Sequence, residues 1–272
     1  MSGAPAVVRR PAKTRGHSPF FYTDPHLIED TAVGLEGADA RHLSVVRRGR
    51  VGDRILVSDG LGKVFEVEVV SVDPERVRGE ILSSASVPQA RPCIAVFQAL
   101  AKGEKVDLAI RKLVEVGVDE IVVYLAGRSV PRWDLAKASQ ALHRWETIAR
   151  EAAKQARRAW LPRVRGPLVL EDAAGAVEGW PCLLADPGAS QPLHSALRSL
   201  SDPPSNSLSK GGQAPERMAL VVGPEGGLAP EEAAAFAGRG ATLVSLGEQI
   251  LRTETAGLVG AAVVMYHFGR LG

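Results

Sequence analysis

Five short apolar runs constrain this chain more than any other feature: "CIAVFQAL" (93–100), "EIVVYLA" (120–126), "CLLAD" (182–186), "MALVVG" (218–223) and "TLVSLG" (242–247). None alternates, so each reads as a strand buried on both faces. The segments between them have helical spacing. After the first run, Val106, Ala109, Ile110, Leu113 and Val114 form one apolar face, and Gly117 supplies a C-terminal stop. A long helix is expected over about 135–158. Strands alternating with helices predict a parallel α/β sheet with helices on both faces.

The rhythm before residue 89 is different. "KVFEVEVV" (63–70) sets Val64, Phe65, Val67, Val69 and Val70 against Lys63, Glu66 and Glu68. "RVRGEIL" alternates again, and "DRILVSDG" ends in a turn at Asp59-Gly60. Short alternating strands between Gly and Asp turns predict a small all-β barrel or sandwich. "SSASVPQARP" (83–92) reads as the linker, giving a β domain over 19–88 and an α/β domain over 89–272. Residues 1–18 are polar, basic and without an apolar core segment, so they read as a disordered start and not a signal peptide. "RSLSDPPSNSLSKGGQAPER" (198–217) reads as a flexible surface insertion.

Several classes are disfavoured. The final apolar stretch, Ala256 to Phe268, is interrupted by Gly257, Gly260 and His267 and is shorter than the ~20 residues of a membrane span. It reads as a buried helix whose glycines allow close packing, and no membrane partner is expected. Cys93 and Cys182 stand far apart with no ligand-spaced companion, so neither a disulfide framework nor a metal site is expected, and a reducing cytoplasm fits. A net charge of +2 says little by itself; clustering matters more. In "LHRWETIAREAAKQARRAW", Trp145, Ile148, Ala149, Ala152 and Ala156 make an apolar stripe, and Arg150, Lys154, Arg157 and Arg158 a basic one. Arg47, Arg48 and Arg50 form a second basic cluster. Both suit phosphate contacts; a solvated surface is the other reading.

In open parallel sheets, ligands bind beyond the carboxyl ends of the strands. "GPEGGL" (223–228) follows the fourth run and "GEQILRTETA" (247–256) the fifth. Glycines there permit close backbone approach to a ligand. Thr253 as N-cap, with Glu254 in the first turn, accounts structurally for "RTET". Arg252 suits an anion or a polarised carbonyl. No Walker or dinucleotide signature is present, and taken alone these residues leave tight turn and ligand loop both open.

Taken together the two loops resemble the C-terminal signature of the RsmE family, a branch of the SPOUT methyltransferases. The resemblance extends through "ADARHLSVVRRGRVGDRILVSDGLG", "QALAKGEKVDLAIRKLVEVGVDEI", "GRSV", "RWETIAREAAKQARR" and "LPRV", in the family's order. Val116 and Gln249 depart from it, standing where Leu and Arg are usual. The resemblance implies an N-terminal PUA-like β-barrel followed by a SPOUT α/β domain with a C-terminal trefoil knot, in a cytoplasmic homodimer. It implies transfer of a methyl group from S-adenosylmethionine to N3 of a uridine in 16S ribosomal RNA of the small subunit, within an assembled 30S particle. Gly223, Glu225, Gly226, Gly227, Leu246, Gly247, Ile250 and Leu251 would bind the cofactor, and Arg252 and Glu254 would be catalytic. Arg47, Arg48, Arg50, Arg128, Arg150, Lys154, Arg157 and Arg158 would bind RNA. By chemistry and position Glu254 and Glu225 are candidate proton acceptors, and solvent is the alternative. Two alternatives stay open: a SPOUT methyltransferase for another RNA position, and a non-catalytic RNA-binding assembly factor.

Overall fold

The computed structural model describes residues 18–127, 135–201 and 215–271. The chain divides into two compact units: residues up to Gln89 with Lys154–Leu161, and Ala90–Ala153 with Pro162–Gly272.

The first unit is built on β1 (Phe20–Tyr22), β2 (Ala32–Glu36), β3 (Arg54–Ser58), β4 (Lys63–Val72) and β5 (Arg76–Ser86), in the sheet order β1-β3-β4-β5-β2. Only β1 and β3 run parallel. Alternation holds from Phe65 onward, with Phe65, Val67 and Val69 buried and Glu66 and Glu68 partly exposed; Val64, next to Phe65, is buried as well. Val70, grouped with them on sequence, is 45% exposed, because a register shift between Val69 and Ser71 turns it outward. The all-β expectation also missed a helical segment. Helix α1 (Gly37–Arg41) runs on through a π turn to Val46 and buries Ala40 and Leu43 in the core. One turn is too short for a 3.6-residue period to stand out. The Lys154–Leu161 segment is tied into the unit by backbone carbonyls: Tyr22 Oη donates to Arg158 O (2.7 Å) and Ser58 Oγ to Ala159 O (3.0 Å).

The second unit holds β6 (Cys93–Ala99), α2 (Lys105–Val116), β7 (Glu120–Leu125), α3 (Leu135–Gln155), β8 (Arg163–Val169), α4 (Leu170–Ala176) and β9 (Cys182–Ala185). It continues with α5 (Leu193–Ser201), β10 (Arg217–Val222), α6 (Pro230–Ala237), β11 (Ala241–Val244) and α7 (Thr253–His267). Its six strands are all parallel, in the order β11-β9-β10-β6-β7-β8. The five apolar runs are five of these strands. The sixth, β8, contains Arg163, Arg165, Gly166 and Pro167, and its edge position tolerates what a central strand would not. Helix α2 ends as expected on Gly117, at φ +105°. Helix α3 stops at Gln155, short of 158, and buries Trp145, Ala149 and Ala152. Helix α5 extends through Ser201 and β10 begins at Arg217, so both ends of the 198–217 stretch are ordinary elements; 202–214 lie outside the described residues. So do residues 1–17.

Helix α7 lies against β10 and β6. A Cβ on Gly260 would come within 2.7 Å of Leu220 Cδ2, so the close packing expected of its glycines is present. No described helix is long and apolar enough to cross a membrane. Cys93 and Cys182 are free thiols, and no metal-holding group occurs among the described residues.

Candidate active site

Beyond the carboxyl ends of β9, β10 and β11 lies a pocket of about 290 Å³, near the lower end of small-molecule sites. Its walls come from three loops: Asp186 and Pro187 after β9, Gly223–Leu228 after β10, and Leu246–Thr253 between β11 and α7. Side by side placement follows from the order β11-β9-β10, which makes the loops of adjacent parallel strands neighbours.

Of the residues expected to bind a cofactor, Gly223, Glu225, Gly227, Leu246, Gly247, Ile250 and Leu251 line this pocket; Gly226 does not. Gly227 and Gly247 take φ of +70° and +131°, a region that side chains rarely adopt, and a Cβ at either would meet nothing within 4 Å. Leu184, Ala185, Val222, Leu228 and Ala256 add apolar surface. The sequence reading missed Asp186, although it closes the quoted run "CLLAD". Its Oδ1 accepts from Gly188 N (2.6 Å), which shapes the turn after β9.

Glu225 is at the rim, where Lys105 Nζ donates to its Oε1 (2.6 Å). That hydrogen bond holds its carboxyl below the usual carboxylate range, against a smaller upward push from burial. A carboxylate so stabilised is a weak proton acceptor near neutral pH, which counts against Glu225 as the base.

Arg252 lines the pocket and is exposed, and its guanidinium makes no hydrogen bond or ion pair with any described residue. It is also the N-cap of α7, with extended backbone at φ −65° and ψ 152°. Thr253, expected at that position, is instead the first helical residue. Its hydroxyl donates to Gly223 O (2.6 Å) and accepts from Gln98 Nε2 (2.7 Å), so tertiary partners replace a local cap. Glu254 lies in the first turn of α7 but does not line the pocket, and its Oε2 is buried without a hydrogen bond among the described residues.

The basic residues separate. Arg47, Arg48, Arg50 and Arg157 are exposed, whereas Arg150 and Arg158 are half-buried. Lys154 is buried, and its ammonium donates to Asp39 Oδ1 (2.8 Å). The helical stripe therefore overstated the outward charge: this lysine faces inward, because the buried Asp39 carboxylate requires a partner. Arg128 lies outside the described residues.

Residues 89–265 match the RNA methyltransferase domain family, and residues 35–82 the RNA methyltransferase PUA domain. Ribosomal RNA small subunit methyltransferase E of Mycobacterium tuberculosis is 35% identical over 249 residues, 90% of this chain and 90% of that protein. Its namesake in Bacillus subtilis is 28% identical over 247 residues, 90% and 93% of the two. Among solved structures, the enzyme of the same name from Neisseria gonorrhoeae, bound to S-adenosyl methionine, aligns with a TM-score of 0.78 at 26% identity over 92% of this chain and 98% of that one. A Legionella pneumophila methyltransferase in complex with bound SAM aligns with the same TM-score at 27% identity, with the same coverage.

Proposed function

This chain belongs to the ribosomal RNA small subunit methyltransferase E family, and from that premise we propose that it transfers the methyl group of S-adenosylmethionine to N3 of a uridine in 16S ribosomal RNA. The observation that carries the reading is the pocket at the strand ends, where "GPEGG" and "LGEQILR" face one space. Its residues fit the cofactor. Left-handed glycines bring bare backbone to the surface, Leu228, Leu246, Ile250 and Leu251 offer apolar walls for an adenosine, and Asp186 and Glu225 place carboxylates where a cationic ligand would be met.

S-adenosylmethionine supplies an electrophilic methyl group on a cationic sulphur. N3 would give its proton to solvent and take the methyl group, with S-adenosylhomocysteine as the leaving group; as the proton departs, charge moves onto the flanking uracil oxygens. Arg252 is the group of this pocket that meets such charge, a donor whose backbone is fixed by the packed helix that follows it. The hydrogen-bonded Glu225 serves as a fixed anion. Arg47, Arg48, Arg50 and Arg157 supply phosphate contacts, which give affinity without sequence information, and Arg150 and Arg158 add to them.

The same reading includes a C-terminal trefoil knot, a cytoplasmic homodimer and a substrate presented in an assembled 30S particle. The exposed Val263 and Tyr266 on α7, at 37% and 73%, support a subunit contact on that helix. Calorimetry with S-adenosylmethionine tests the pocket. Mass mapping of modified nucleotides in ribosomal RNA from cells lacking the protein tests the reaction: loss of one N3-methyluridine is expected, and an unchanged map overturns it.

A further inference from the structure

Gln98 is the penultimate residue of β6 and is 1% exposed. An amide in so apolar a place requires a reason. Its Nε2 donates to Thr253 Oγ1 (2.7 Å), and Thr253 Oγ1 donates to Gly223 O (2.6 Å). The far end of this chain fixes its polarity. A carbonyl can only accept, so the hydroxyl proton points to Gly223, and the hydroxyl lone pair must then be met by an N–H. The amide is thereby locked with its nitrogen toward Thr253. Its Oε1, on the other side, is buried without a hydrogen-bond partner among the described residues. That oxygen faces α7, where a Cβ on Gly257 would stand 2.8 Å from it. Gly257 therefore does more than let the helix approach the sheet: it leaves room for an amide that cannot turn away.

Two of the linked residues stand in the pocket's walls and the third lies behind them. Gln98, one residue before the end of β6, is in register with Val222 of β10. Gly223 begins the glycine loop, and Thr253 follows Arg252 directly. We infer that Gln98 and Thr253 are positioning residues: their relay fixes the glycine loop and the Arg252 backbone relative to one another, with Gly257 providing the clearance. The inference rests on the methyltransferase reading. Displacement of a catalytic group by about 1 Å costs on the order of 10²-fold in rate, so a relay that ties two walls together acts on rate as well as on stability.

The test uses the full-length protein and compares Thr253→Val, which keeps the shape and removes both bonds, with Thr253→Ser, which keeps the hydroxyl. At saturating S-adenosylmethionine, Thr253→Val should lower the single-turnover methylation rate by about tenfold or more, with Thr253→Ser within about threefold of wild type. Gln98→Met should lose as much, and the double variant no more than either alone, because both act through one chain of bonds. In the ligand-free protein, amide hydrogen exchange over 223–228 and 250–256 should accelerate together in Thr253→Val and Gln98→Met. If one valine or methionine variant fails to fold, the other carries the comparison, with Gly257→Ala as a third perturbation expected to act in the same direction. Wild-type rate with unchanged exchange in a folded Thr253→Val or Gln98→Met overturns the inference; so does acceleration confined to one of the two segments. A wild-type protein that neither binds S-adenosylmethionine nor methylates ribosomal RNA would overturn the methyltransferase reading instead, and the exchange comparison would still judge the relay.

Discussion

Replacing Arg252 by alanine separates chemistry from structure. The side chain is exposed and makes no bond to a described residue, so its removal leaves no buried orphan. Stability should change by no more than about 0.5 kcal/mol, the range of surface substitutions. Thr253 and Gly223 remain bonded, so the cofactor walls should stay in place and S-adenosylmethionine affinity within a few-fold. The rate should not. Loss of one donor from a preorganised electrostatic site costs about 10²–10³-fold. Arg252 is open to solvent in the free protein, which weakens its field, so the lower end applies: about 10²-fold, or about 2.7 kcal/mol at ~1.36 kcal/mol per decade. The assay is single-turnover methylation of ribosomal RNA, since product release could mask the chemical step. A folded variant with wild-type rate would remove Arg252 from the chemistry. A variant that loses cofactor binding along with activity would make it a structural link.

Gly227→Val places a β-branched residue at φ +70° and should weaken S-adenosylmethionine binding more than tenfold by calorimetry, while circular dichroism stays native. Replacing Arg47, Arg48 and Arg50 with Gln should flatten the log–log salt dependence of RNA binding by about 0.7–0.9 per lost contact. Lys154→Ala should act on stability instead: it removes a buried ammonium that donates to the Asp39 carboxylate, and about 1.5–3 kcal/mol, the range for a hydrogen bond to a charged group, is expected to be lost in denaturant unfolding. Lys105→Met should raise the Glu225 pKa in a carboxylate NMR titration. In the wild type, the Glu225 pKa is lowered chiefly by the Lys105 hydrogen bond, so its small contribution to stability is present above the unfolded value and fades as pH falls through the depressed one; the variant should show less of this dependence.

The sequence by itself determined the parts whose signals are local. Continuous apolar runs make strands that only a doubly covered parallel sheet can bury, and the switch from period two to such runs near residue 89 separates the two kinds of sheet. Glycine loops after the fourth and fifth runs are a backbone property, so they were legible before any partner was known. Tertiary structure decided the rest. Strand β8 forms because an edge place was available to a segment with two arginines and a proline. Lys154 turned inward because Asp39, 115 residues away, needed its charge. Thr253 lost its capping role to Gln98 and Gly223, 155 and 30 residues distant, and Asp186 joined the pocket only because β9 lies between β11 and β10. Periodicity and turn chemistry report what neighbours in the chain require. Which buried polar group finds which partner depends on strand order and packing, and those are set only when the whole chain is assembled.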